Sequence, residues 1–138
     1  MGINSFTDMT VEELNKRYLS AKLRVPQHVA QSRLLASDNT FVNVADLPSE
    51  INWTAKGKVS PSVDQGGCGS CWAFTTATTM ESLYAINNEG QPVPRFSVQY
   101  LMECDDTNYG CDGGWMTDAY SWTIDNGIID WPSYPKEY

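Results

Sequence analysis

Residues 65–74 read QGGCGSCWAF, and the order of residue types in this run decides how the rest of the chain is read. Gln65 leads, glycines at 66, 67 and 69 make a flexible loop around Cys68, and Ser70 stands where a helix cap would stand. Cys71 then opens an apolar helix start, Trp72-Ala73-Phe74. A thiol reacts as its thiolate, and the amino end of a helix favours negative charge. A cysteine on the first helical turn is therefore drawn toward its reactive form, and Cys71 holds that position.

Working outward, the central helix runs from Cys71 to the turn signal Asn88–Gly90, with Ala73, Ala77, Met80 and Tyr84 as its apolar stripe. Its threonines at 75, 76, 78 and 79 are weak helix formers, so packing must hold it. A shorter helix is predicted from Val98 to Glu103, capped by Ser97. Another is predicted from Thr117 to Asn126, with Met116, Ala119, Tyr120 and Ile124 on one face and Gly127 as the stop. Upstream, Thr10 and Glu13 have capping-box spacing ahead of a helix whose apolar face is Val11, Leu14 and Tyr18, ended at the latest by Pro26. From there to about Ala45 the chain is polar and without period, which reads as an extended connector.

Composition narrows the function. The hydrophobic content of 41% suits one globular core with an appendage. A net charge of −8 without a basic cluster argues against a nucleic-acid partner. No apolar run reaches the roughly 20 residues of a membrane span, and MGINSFTDMT lacks the apolar core of a signal peptide. Phe6 stands where a myristoylation motif wants Ser or Thr. The cysteines at 68, 71, 104 and 111 allow three pairings if all are bridged, and a free nucleophile would leave one of the others unpartnered within this chain. A redox Cys-x-x-Cys site would follow an apolar strand, but Ser60–Asp64 is polar and loop-like. Zinc is disfavoured because Cys104 and Cys111 are too far apart for a metal knuckle.

The run Cys68-Gly69-Ser70-Cys71-Trp72 resembles the active-site signature of papain-family cysteine proteases, cathepsin L-like members in particular. Gly2-x-Asn4-x-Phe6-x-Asp8 resembles a short motif of the family's propeptide, and Leu47-Pro48 with Trp53 resembles the start of the mature enzyme. The resemblance implies an α+β, papain-like fold, represented here by the end of an inhibitory propeptide (residues 1–46) and the helical left half of the peptidase domain (47–138), with the β-barrel right half missing. Processing is expected near Val44 to Leu47, and the connector before it would lie in the cleft in the non-productive direction.

Within that resemblance Cys71 is the nucleophile. The Gln65 amide and the backbone N–H of Cys71 form the oxyanion hole, and Gly66, Gly67 and Gly69 permit its tight backbone. Gly113 and Gly114 match the edge that pairs with substrate backbone, where a missing side chain admits an extended peptide. Trp115 and Met116 match one wall of an apolar pocket for the side chain two residues before the cut, although apolar residues at a helix start are also ordinary core. The resemblance pairs Cys68 with Cys111 and sends Cys104 to a partner beyond residue 138. It implies peptide or protein substrates, the chain's own propeptide as cleft occupant, no cofactor and no metal, and a lysosomal, vacuolar or secreted location.

Two features stand outside the pattern. In the family the base histidine and its orienting asparagine lie roughly 130–150 residues past the nucleophile, whereas here only residues 72–138 follow it and the sole histidine, His28, precedes it in the connector. Asn87, Asn88, Asn108 and Asn126 are too near to serve as the orienting asparagine. The expectation is an incomplete proenzyme that is inactive alone, the rival being a non-catalytic, propeptide-like inhibitor of related proteases. Asn52-Trp53-Thr54 has the form of a glycosylation sequon, but it overlaps a tryptophan expected to be buried, which argues against its use.

Overall fold

The computed structural model describes residues 6–18 and 47–135. The connector, His28, the start of the propeptide-like motif and most of the expected processing region lie outside the described residues.

Helix α1 spans Val11–Tyr18 and starts with the capping box its sequence announces. Glu13 N–H donates to Thr10 Oγ1 at 3.2 Å, and the Glu13 carboxylate accepts from Thr10 N and Thr10 Oγ1, both at 2.8 Å. Val11 is 74% exposed, so within the described residues the expected apolar face is not buried at its first position. The Thr10 backbone amide, and then its hydroxyl, hold the Glu13 carboxyl below its usual range. A depressed folded value means the cap is fully present above the ordinary glutamate value and is lost as pH falls through the lowered one. Side-chain NMR titration of Glu13 is expected to give a midpoint below the ordinary glutamate value that rises in Thr10→Ala. An unchanged midpoint in that variant would show that the box does not form.

Residues 47–135 are built around α2, Cys71–Asn87, which packs against α3, Val98–Cys104, and α4, Met116–Asn126. The core is Trp72, Ala73 and Ala77 of α2 with Val98, Leu101 and Ala119, and Phe74, Phe96, Met102, Met116, Trp122, Ile128 and Trp131 pack on it. The only β pairing among the described residues is one antiparallel bridge, Phe96 to Asp130, with Ser97 N donating to Ile129 O at 2.8 Å and Trp131 N to Arg95 O at 2.7 Å. No described helix is long and apolar enough to cross a membrane.

The local signals hold at α3 and α4. Ser97 Oγ accepts from Tyr100 N at 3.0 Å as the α3 cap, and Gly127, at φ 77°, closes α4 by donating to Thr123 O at 2.9 Å. The expected stripes are corrected in part. On α2 the buried positions are Trp72, Ala73, Thr76, Ala77, Glu81 and Ala85, while Tyr84 is 46% exposed. On α4 Ala119 and Thr123 are buried, and Ile124 is 83% exposed. Both faces are rotated because polar side chains take inward positions with their bonds satisfied. Thr76 Oγ1 donates back to Trp72 O at 2.8 Å. Glu81 accepts from Ser60 Oγ and, at 2.7 Å, from Phe96 N, with Arg95 Nε at 3.6 Å. One buried carboxylate thus ties two loops to the central helix. Lys58 Nζ donates to Ala85 O, placing a cation at the negative end of α2.

Trp53, expected to be buried, is 39% exposed, with the Lys56 ammonium 5.0 Å from its ring centroid. It sits in a run of local turns that contributes nothing to the core.

Candidate active site

Gln65 to Ser70 forms the loop that leads into α2. Asp64 Oδ1 accepts from Gly66 N at 2.8 Å, and Gly66 takes φ 65°, a conformation that suits glycine. Gln65, half-buried, donates from Nε2 to Cys68 O at 2.7 Å. Cys68 is bonded to Cys111, and Gly69 N donates to Cys111 O at 2.9 Å, so the loop is fastened twice to the segment 110–114. Cys71 follows as the first residue of α2, free and exposed.

Ser70 precedes α2 as expected but does not cap it through its side chain. Its ψ of 11° departs from the extended geometry of a side-chain cap, and the hydroxyl does not bond the first-turn amides. The residue is fully buried, and its carbonyl accepts from Ala73 N at 2.9 Å and Phe74 N at 3.1 Å. Immediately behind Cys71, Trp72 is 0% exposed and donates from Nε1 to Gly110 O at 3.0 Å. The exposed sulfur therefore sits on a backbone immobilised by the most deeply buried aromatic side chain of the core.

Segment 110–114 begins with a short 3-10 turn, Gly110–Asp112, closed by Gly113 at φ 111°. Gly114 has a different reason to be glycine. A Cβ there would lie 2.5 Å from Asn108 Oδ1 and 2.7 and 2.8 Å from Trp72 Cδ2 and Cε2. The missing side chain thus admits the Trp72 ring from inside, a packing demand that the sequence reading did not foresee. Gly114→Ala is expected to cost about 1–3 kcal/mol, since overpacking displaces either the ring or the loop. Urea unfolding measures it, and an unchanged midpoint would refute this packing.

Asn108 lies too near Cys71 in sequence to be an orienting asparagine. Here it is a loop support: Oδ1 accepts from Trp115 N at 2.6 Å, and Nδ2 donates to Asp105 Oδ2 at 2.7 Å. Asp105, 4% exposed, also accepts from Thr107 N at 2.9 Å. The Asp-x-Thr-Asn run carries the turn-forming side chains that could have signalled this. Trp115 and Met116 are half-buried, and Met116 packs against the core. Cys104 is free and exposed at the end of α3.

The structure thus brings Gln65, Cys68, Gly69 and Cys71 onto one loop and helix start, and the disulfide together with the Trp72 contacts brings segment 110–114 beside them. No histidine lies among the described residues.

Residues 47–138 match the family described as papain family cysteine protease. A cathepsin L-like proteinase of Fasciola hepatica is 39% identical over 137 residues, covering 98% of this chain and 40% of that protein. The proform of the ragweed pollen cysteine protease Amb a 11 superposes with a TM-score of 0.77 at 36% identity, over 99% of this chain and 42% of that one. The Carica candamarcensis cysteine protease CMS1MS2, solved in complex with E-64, gives 0.62 at 38% identity, over 66% of this chain and 42% of that one. The chain spans about two-fifths of the length of the curated relatives it matches. Its helical, strand-poor architecture is that of the left half of their fold. With this match over most of its length, the chain belongs to the papain family of cysteine proteases.

Proposed function

We propose that these residues are the nucleophile-bearing part of a cathepsin L-like cysteine endopeptidase zymogen: residues 1–46 the end of an inhibitory propeptide, and 47–138 the helical half of the catalytic domain. The observation that carries the reading is Cys71, a free, exposed thiol at the positive end of a 17-residue helix, with Gln65 held beside its loop. The division is supported by coverage: the proform matches 99% of the chain, and the E-64 complex matches 66%, close to the share that 47–138 represents.

The Cys71 thiolate attacks a peptide carbonyl carbon, forming the C–S bond and a tetrahedral oxyanion. A glutamine NH2 carries two donors. The bond to Cys68 O uses one and orients the group, which leaves the other for the oxyanion alongside the Cys71 N–H. Gly114 presents backbone to an extended peptide, whereas Gly113 is buried with its carbonyl accepting from Tyr109 N and its N–H donating to Gly110 O, and Trp115 and Met116 wall the apolar pocket. An imidazole from outside these 138 residues protonates the leaving amine, and water then hydrolyses the thioester. The disulfide supports a secretory or lysosomal route.

The test is a chimera in which residue 138 continues into the C-terminal part of the ragweed protease. Thiol-dependent cleavage of peptides is expected from the processed chimera and none from residues 1–138 alone. A chimera that folds, by near-ultraviolet circular dichroism, yet cleaves nothing would reject the reading.

A further inference from the structure

We propose that Asn52 is an N-glycosylation site. Asn52-Trp53-Thr54 is the one Asn-x-Ser/Thr triplet in the 138 residues, and its central residue is not proline. The objection from sequence was burial of Trp53, and the structure removes it: residues 51–57 are all exposed.

The local geometry presents the acceptor atom. Ala55 N donates to Asn52 Oδ1 at 2.9 Å, and the backbone turns onward through Lys56 N to Asn52 O at 3.2 Å and Gly57 N to Thr54 O at 2.9 Å. The cap-like bond from the Ala55 amide, three residues on, fixes the side chain by its oxygen. Asn52 is exposed, and this side-chain bond engages Oδ1 rather than Nδ2. The Cys68–Cys111 bond suits an oxidising compartment, the setting in which such transfer occurs.

The co-substrate is an oligosaccharide joined through pyrophosphate to a lipid carrier. The bond from Nδ2 to the sugar C1 forms and the C1–O bond to pyrophosphate breaks. The amide proton passes to a base of the transferase, and the lipid pyrophosphate leaves. The attached glycan would cover a surface on which Leu47, Ile51 and Trp53 stand 54%, 47% and 39% exposed.

The test is to express residues 1–138 behind a heterologous signal peptide in a eukaryotic cell and to follow both cell-associated and secreted protein by gel mobility, with and without peptide-N-glycosidase. A retarded species that collapses on digestion is expected, with Asn52 recovered as aspartate by mass spectrometry. Asn52→Gln and Thr54→Ala should lose it, and Thr54→Ser should keep it. Reading the cell-associated pool keeps the result decisive for a variant that is not secreted. Translocated wild-type chain with no retarded species, or a retarded species that persists in Thr54→Ala, would overturn the assignment.

Discussion

Cys71→Ala, introduced into the active chimera, is expected to lower kcat about 10⁶-fold, the scale seen when the nucleophile of a hydrolytic triad is removed. The exposed thiol leads α2, and the other free cysteine among the described residues, Cys104, ends α3 and lies outside the loop that holds Gln65. No second sulfur is placed to substitute for it. Gln65→Ala should act differently, lowering kcat about 10²–10³-fold by deleting one oxyanion donor. The Cys68 carbonyl would lose its partner as well, so Gln65→Glu serves as a companion: its carboxylate supplies neither the donor to that carbonyl nor one to the oxyanion. Peptide turnover with active-site titration separates the two roles. Substantial turnover by Cys71→Ala would remove the nucleophile assignment, and a Gln65→Ala enzyme with unchanged kcat would remove the oxyanion role.

Trp72→Ala is expected to destabilise residues 47–135 by about 3–5 kcal/mol, a large fraction of a domain's total stability. The ring is wholly buried, fills the space that Gly114 leaves, and donates to Gly110 O. Its loss opens a cavity and orphans that carbonyl. The Cys68–Cys111 bond fastens the same segment, and closing a loop of 43 residues corresponds to about 4 kcal/mol in the chain-entropy account. Because both supports hold 110–114, removing both should cost less than the separate effects predict, with a coupling of about 0.5–3 kcal/mol. Urea unfolding of wild type, Trp72→Ala, the Cys68→Ser/Cys111→Ser pair and the combination measures it. Trp72→Phe, which keeps an aromatic ring but loses the N–H and part of the bicyclic volume, supplies a milder arm should the alanine variant not fold. Additive effects would mean that ring and disulfide support different structures.

Much of this architecture was legible because its signals are local. A capping box needs only Thr10 and Glu13, a cap only Ser97 and the next turn, and a helix stop only Gly127. The run around Cys71 is likewise contiguous. What was misread depended on partners far along the chain. Tyr84 and Ile124 fit helical periodicity yet face outward, because Glu81 and Thr123 take inward positions. Glu81 is tolerated there through Ser60, Arg95 and Phe96, none of which periodicity connects to α2.

The amino-acid order alone thus determined the family, the boundaries of the described helices to within a few residues, and the place of Cys71 at a helix start, since each rests on neighbours in sequence and on backbone hydrogen bonds that close within a turn. Only the tertiary structure decided that Gly114 is small for the sake of Trp72, that Asn108 carries Trp115, and that Trp53 lies on the surface beside an open Asn52. Those facts depend on which side chains compete for the same volume and which polar atoms find partners across the chain, and such contacts exist only once the helices are packed.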